Sequence, residues 1–347
     1  MKSIRSFLLV LAISSSCLEP FSFQTENAGG QLVIYGKISS RSDQTRVSIG
    51  RVTEPGRPPI FINDAIVSVV DDLGAGETFI AVGRGEYVYA GNKLPEPEKR
   101  YRLIVNHNNK TYVSSFESLP ADTATGRSHF KYRDDQIIDR EGTIRSKPVV
   151  DVFSDIVLPE RSSFFRLVTE ETFIIRPTDF PDFFNSIPPD CFVTLPVESQ
   201  NIILLDGRSF KSRAVTGWKG TTREIDQSFL IRHYFSVYVE SLTSSSFQYW
   251  QKVQQLISQT GSLFDIPPGQ LAGNIICLED PNEQVRGLFE ITNTTVHRFF
   301  VLPSDLPVFI SDPCPYDPSK LLWQYPDKCL DCANMEGSSI FPPLWWR

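Results

Sequence analysis

From Gln31 onward the chain alternates apolar and polar positions: Leu32, Ile34 and Ile38 fall on one side, with Val33, Tyr35 and Lys37 between them. A side-chain period of two marks a strand with one buried face. The alternation returns over residues 46–52, around Val47 and Ile49, and over 65–70, which Asp71-Asp72-Leu73-Gly74 closes with turn chemistry. Tyr87-Val88-Tyr89 follows Gly83-Arg84-Gly85. Residues 101–105 and 111–114 bracket His107-Asn108-Asn109, which predicts a hairpin with His107 in a solvated turn. Strands at this spacing predict an antiparallel sandwich over residues 31–121.

Residues 122–146 are polar and charged with no clear period, and predict a linker. Strand character resumes at 149–152, 163–168 and 173–175, followed by a Pro-rich loop holding Phe180, Phe183, Phe184 and Cys191. Residues 229–231 and 234–239 are the strongest strand candidates of this half, and His233 between them is expected to expose its ring. One helix is expected near 245–259. Phe247, Trp250, Val253 and Ile257 recur at three- and four-residue steps, Ser245 and Gln248 form a capping box, and Gly261 is the stop. Its apolar stripe predicts a lid on a second, larger β-rich domain over 147–310. A Cys-, Pro- and Trp-rich tail occupies 311–347. Two domains also suit the 347-residue length, since single cores stop growing near ~250 residues.

The N-terminus reads as an address. Lys2 and Arg5 precede a seven-residue apolar run over 7–13, and Ser14-Ser15-Ser16 supplies the small residues of a cleavage site, so 1–16 is expected to be a signal peptide. That run is far short of the ~20 residues that span a bilayer, and no later segment is longer. Cys17 follows directly, as in a bacterial lipoprotein signal, although Ser14 stands where a strict lipobox has Leu. Cys17 is therefore the candidate lipidation site and 17–30 the tether. The alternative is an ordinary secreted chain with a chance Cys at that position.

Cys191, Cys277, Cys314, Cys329 and Cys332 remain as disulfide candidates, an odd number, so at least one stays free or pairs outside the chain. Cys329 and Cys332 have the spacing of zinc knuckles and thiol redox sites. No second Cys pair or His pair supports zinc, and no βαβ setting supports redox chemistry, so structural bridges pinning the tail are expected, with connectivity open. The net charge of -7 argues against a nucleic-acid partner. No phosphate-binding loop, dinucleotide fingerprint, HExxH or nucleophile elbow is present, and Ser262, Asp265 and His297 form a triad only on paper. No catalytic residue, metal or cofactor is expected. Among 25 Phe, 11 Tyr and 5 Trp, Trp323 and Trp346 are candidates for a partner interface, while Trp345 is expected to plug a sandwich edge.

Two resemblances add to this reading. The order Asp64-Ala65-Ile66-Val67-Ser68-Val69, Gly85-Glu86-Tyr87, Tyr101-Arg102-Leu103 resembles small immunoglobulin-like domains of the carboxypeptidase-regulatory fold, and covers 31–120. Over nearly the whole mature chain an ordered set of motifs resembles the Bacteroidota lipoprotein family of domain of unknown function 4249. The set runs from Tyr249-Trp250 through Gly261-Ser262-Leu263-Phe264-Asp265, Gly273-Asn274-Ile275 and Val285-Arg286-Gly287-Leu288-Phe289. It ends with Cys329, Cys332 and Pro343-Leu344-Trp345. Leu288 replaces the family's usual Tyr, Phe247-Gln248 stands before Tyr249-Trp250, and Leu344-Trp345 replaces a closing Phe-Trp. The resemblance implies an outer-membrane, lipid-anchored accessory of a TonB-dependent receptor, with no established activity. A stand-alone glycan- or peptide-binding lipoprotein, or a hydrolase with an unrecognised site, are the alternatives.

Overall fold

The computed structural model describes residues 30–53, 57–91, 93–138, 142–180, 189–197, 202–259 and 271–346. The expected signal peptide, Cys17 and the tether up to residue 29 lie outside the described residues, as do Phe183, Phe184 and the Gly261-to-Asp265 motif.

The chain is mainly β. Its first half forms β1 (Leu32–Ser39), β2 (Arg46–Arg51), β3 (Ile60–Phe61), β4 (Ile66–Asp71), β5 (Gly76–Gly83), β6 (Glu86–Tyr89), β7 (Arg100–His107), β8 (Lys110–Ser114) and β9 (Glu117–Ser118). The alternating residues behave as read: Leu32, Ile34, Val47 and Ile49 are buried. Asn108 and Asn109 take φ of 51° and 58° between β7 and β8, the left-handed pair that a two-residue hairpin turn requires. His107 is the last residue of β7 and not a solvated turn residue. Its Nδ1 lies 3.3 Å from Asp64 and its side chain is nearly covered. The sequence reading missed β5, because only Phe79 of its eight residues is buried and no alternation shows.

The second half forms β10 (Thr125–Ile138), β11 (Ile144–Val157), β12 (Phe164–Ile175), β13 (Cys191–Pro196), β14 (Ile203–Asp206), β15 (Ala214–Glu224), β16 (His233–Leu242), α1 (Ser244–Gln259), β17 (Ile275–Cys277), β18 (Val285–Val301), α2 (Asp327–Leu330) and β19 (Ser338–Ser339). The stretch expected as a linker, 122–146, holds instead all of β10 and the start of β11, two 14-residue strands paired from Thr125–Val157 to Ile138–Ile144. Among the described side chains of β10, Phe130 and Tyr132 pack on the core, and Arg133 is held by Asp135 and Asp151, so charge hides the period. The expected strand at 229–231 is a turn. Asp226 accepts a hydrogen bond from Ser228 N, and Phe229 drops into the core.

Sixteen strands form one hydrogen-bonded path: β17-β8-β7-β4-β5-β6-β2-β1-β18-β16-β12-β13-β19, with β3, β9 and β14 as side branches. A separate sheet, β10-β11-β15, packs over the second half. The spine is β18. Residues 285–292 run parallel to β1, Leu32 opposite Val285 and Ser39 opposite Thr292. Residues 293–301 then run antiparallel to β16, His233 opposite Val301 and Ser241 opposite Asn293. The domain limits expected at 121 and 147 therefore do not separate the cores. The first core combines Ile34, Val47, Val67, Leu103 and Tyr112 with Ile275, Val285, Phe289 and Ile291 from late in the chain. The second core gathers Val150, Val152, Phe165, Leu167, Phe235 and Val237.

The family-like motifs of the late segment meet in space. Asn274 Oδ1 accepts from Phe289 N, and its Nδ2 donates to Phe289 O, both at 2.8 Å, so one side chain extends the ladder of β18. Gly287 has φ of 108°, and a Cβ there would strike the Ile34 carbonyl of β1. A Cβ on Gly273 would strike the carbonyl of Gly287 itself. Both glycines mark close backbone approach.

Helix α1 begins one residue before the expected start. Thr243, and not Ser245, caps it: Thr243 Oγ1 accepts from Ser246 N at 3.2 Å. Phe247 stacks on Phe164 of β12 with centroids 4.6 Å apart, so the helix does cover the second sheet, although Ile257 at the end of the stripe is exposed.

Candidate functional site at the junction of the two sandwiches

Strand β1 turns Leu32 and Ile34 into the first core, which sends Tyr35 and Lys37 toward the opposite side. There they meet Arg166 of β12, Glu240 of β16, Glu290 of β18 and Trp250 of α1. The ladders set this up, since Lys37 is the register partner of Glu290 and Arg166 that of Glu240. Lys37 Nζ donates to Glu240 Oε1 at 2.7 Å, and Arg166 donates to Glu240 Oε2 through Nε at 2.7 Å and to Glu290 Oε1 through Nη2 at 2.6 Å. Glu290 also accepts from Tyr35 Oη at 2.5 Å and from Trp250 Nε1 at 2.9 Å. The four charged side chains are 0 to 6% exposed.

Burying an ion costs several kcal/mol, which only close pairing offsets. Burial by itself pushes the Glu240 carboxyl up; Arg166 and then Lys37 more than reverse this and hold it at about 2. The Arg166 guanidinium, disfavoured by burial, is held charged by Glu240 and Glu290. Burial, then the Glu290 charge, pushes the Tyr35 phenol well up, so it stays a donor. Each of these groups is engaged by another, with neither a free base nor a free nucleophile among them. What the network can do is weld β1, β12, β16, β18 and α1 together and floor a cleft.

That cleft has two parts. One, of about 280 Å³, lies over Arg166 and Lys37 with Leu167, Val197, Ile203 and Trp250 as walls. The other, of about 330 Å³, is the more polar of the two and is lined by Asp43, Glu170, Tyr238 and Trp345 among others. Arg46 and Pro196 line both, so the two parts adjoin. Gln44 links the weld to the polar part, accepting from Lys37 at 3.2 Å and donating to Glu170 at 3.3 Å. Tyr238 Oη donates to Glu170 at 2.9 Å. None of this was visible from the sequence. Lys37 and Tyr35 sit on what alternation labels a solvent face, and their carboxylate partners Glu240 and Glu290 lie 203 and 255 positions away.

The predicted site residues fall elsewhere. Cys191 bridges Cys332 and Cys314 bridges Cys329, so the closely spaced Cys329 and Cys332 belong to different bridges. Cys277 is free and buried in the first core, and burial pushes its thiol up. The bridges fix the tail beside Thr178, whose N donates to Cys329 O at 2.8 Å and whose Oγ1 donates to Cys314 O at 2.7 Å. Trp323 is 76% exposed. Trp346 is half-buried, its ring 5.2 Å from Phe192 and 4.6 Å from Tyr234, so it packs the tail onto β13 and β16. Trp345 sits against Tyr234, with the Arg298 guanidinium 4.5 Å over its ring.

His233, expected to be exposed, is fully buried between Phe229 at 3.8 Å and Phe173 at 5.7 Å, with Nε2 3.1 Å from a Glu171 oxygen. Phe229 arriving by its turn makes this a core position. His297 Nδ1 lies 3.2 Å from Ser128 Oγ, while Ser262 and Asp265 are outside the described residues. Among the described residues no three His, Cys, Asp or Glu side chains are grouped to hold a metal ion, and no helix is long and apolar enough to cross a membrane.

Two cores strung on one shared strand, a buried ionic weld and a disulfide-pinned tail define the class as a β protein with a bridged C-terminal extension. The family model described as Domain of unknown function (DUF4249) matches residues 18–298, and the chain belongs to that family. The match takes in the first core, most of the second and almost all of β18, and ends before the bridged tail. Comparison with curated proteins and with solved structures gives no match.

Proposed function

We propose that the chain is an outer-membrane lipoprotein, anchored through Cys17, that serves as a non-catalytic accessory of a TonB-dependent transporter. The observation that carries this reading is the bridged tail. Trp323, Phe341 and Leu344 are each more than 70% exposed on a segment pinned by two disulfides, and Phe309, just before it, is more than 90% exposed. Large exposed apolar side chains on a rigid frame are what protein interfaces use, and rigidity lowers the entropy lost on docking. The saturated weld supports a binding role over a catalytic one.

The test is affinity purification of the tagged chain from native outer membranes in mild detergent. A β-barrel receptor should co-purify, and Trp323→Ser with Phe309→Ser should release it. Recovery of the chain alone overturns the reading. In the same strain Cys17→Ala should move the protein from the membrane pellet to the soluble fraction. The mixed polar and apolar cleft favours a second reading, a binder with its own glycan or peptide ligand.

A further inference from the structure

We propose that the cleft over the buried weld binds an uncharged oligosaccharide; this rests on the second reading above and names its ligand. Together the two parts fall within the 300–1,000 Å³ range of ligand pockets. Charges of both signs surround them. Lys37, Arg41, Arg46, Arg166 and Arg298 face Asp43, Glu170, Glu240 and Glu290, so each carboxylate has a cation within 4 Å. An anionic ligand meets Glu170 and Asp43, and a cationic one meets Arg46. A ligand with many hydroxyls and no charge can donate to the carboxylates and accept from the guanidinium at once.

Arg46 and Asp43 are the groups best placed to do this. Each side chain is 44% exposed, and the Arg46 guanidinium comes no nearer than 3.9 Å to Glu170. Trp345 lines one part and Trp250 the other. Each has a guanidinium over its ring at 4.5 Å, from Arg298 and Arg166 respectively, so each indole is fixed in orientation. Fixed indoles beside charged side chains suit a pyranose chain, whose rings carry apolar C–H faces and a polar rim. An extended peptide fits less well. The outer edge of β13 at the cleft is already taken at Thr194, whose N donates to Gly337 O at 2.9 Å, and it ends at Pro196, which has no N–H.

The test is calorimetric titration of the purified full-length chain, in a zwitterionic detergent free of sugar, with maltohexaose, cellohexaose, mannohexaose and xylohexaose. At least one should bind a single site with Kd below about 1 mM. Arg46→Ala and Trp345→Leu should each weaken it at least about tenfold, the melting curve showing that the variant is folded. Asp43→Asn, a smaller and exposed change, is the second check and should weaken binding by about threefold or more. Failure of all four sugars to bind overturns the proposal, as does binding that the three variants leave unchanged. Binding of a random hexapeptide mixture in place of the sugars, lost in the same variants, overturns the ligand class. Receptor co-purification is read separately on native membranes, so loss of this inference and loss of the transporter reading are distinguishable.

Discussion

Glu240 accepts from two cations while wholly removed from water, which makes its charge a measurable part of the folding free energy. Replacing one member of a buried pair leaves the others uncompensated, so Glu240→Gln should lose about 3–5 kcal/mol in urea unfolding at pH 7. The pH dependence has a fixed sign. The folded carboxyl sits at about 2, below its ordinary 4.5, so its contribution is complete above about pH 4.5 and fades as pH falls toward 2. The gap between wild type and Glu240→Gln should narrow over that interval; a gap constant down to pH 2 refutes the pairing. His297 adds a smaller effect of similar sense. Burial holds its imidazole below 6.5, so stability it confers while neutral is present above that pH and declines as the solution becomes more acidic. Such residues are illegible in sequence. Lys37 reads as a solvent-facing lysine until Arg166, Glu240 and Glu290 are brought to it, and His233 reads as exposed until Phe229 folds over it.

Elements were legible where one face is apolar and the other polar. β1, β2, β4 and the β7–β8 hairpin follow from alternation and from Asn108-Asn109, and α1 follows from its stripe. β10 was lost because two aromatic residues carry its inner face among arginines and aspartates, and β15 because Gly217 and Gly220 and its shifts of register against β11 break the period. The late motifs were legible as a family pattern but not as geometry. Their reason is the approach of β18 to β1 at Gly287 and the bracing of Phe289 by Asn274. A side chain at Gly287 meets both an unfavourable φ and a carbonyl that cannot move without opening the sheet. Gly287→Ala should therefore cost more than about 3 kcal/mol, read as a lowered urea midpoint. Full stability in that variant refutes the close approach.

Among the described residues the two larger cores do not make two separable halves, because the first contains Ile275, Val285, Phe289 and Ile291. Residues 31–121, whose alternation reads as a complete sandwich, should remain unfolded when expressed alone, with poor dispersion of amide resonances. The fragment should gain structure only when residues 271–298 are supplied in trans. A cooperatively folded 31–121 fragment refutes the shared core. The exposed tail and the bridges were legible as composition, while their pairing required Cys191 to sit at the start of β13, where the sequence shows only a Pro-rich loop.

The parallel pairing of β1 with β18 also has a consequence in time. A ribosome moving at about 5–20 residues per second finishes β1 long before β18 exists, and the roughly 250 positions between them take on the order of 12–50 s to emerge. Throughout that interval the leading strand has one hydrogen-bonding edge without its mate. A message cut short anywhere before β18 yields a product that cannot close its first layer, so a nascent chain becomes resistant to proteases only after nearly all of it has been read.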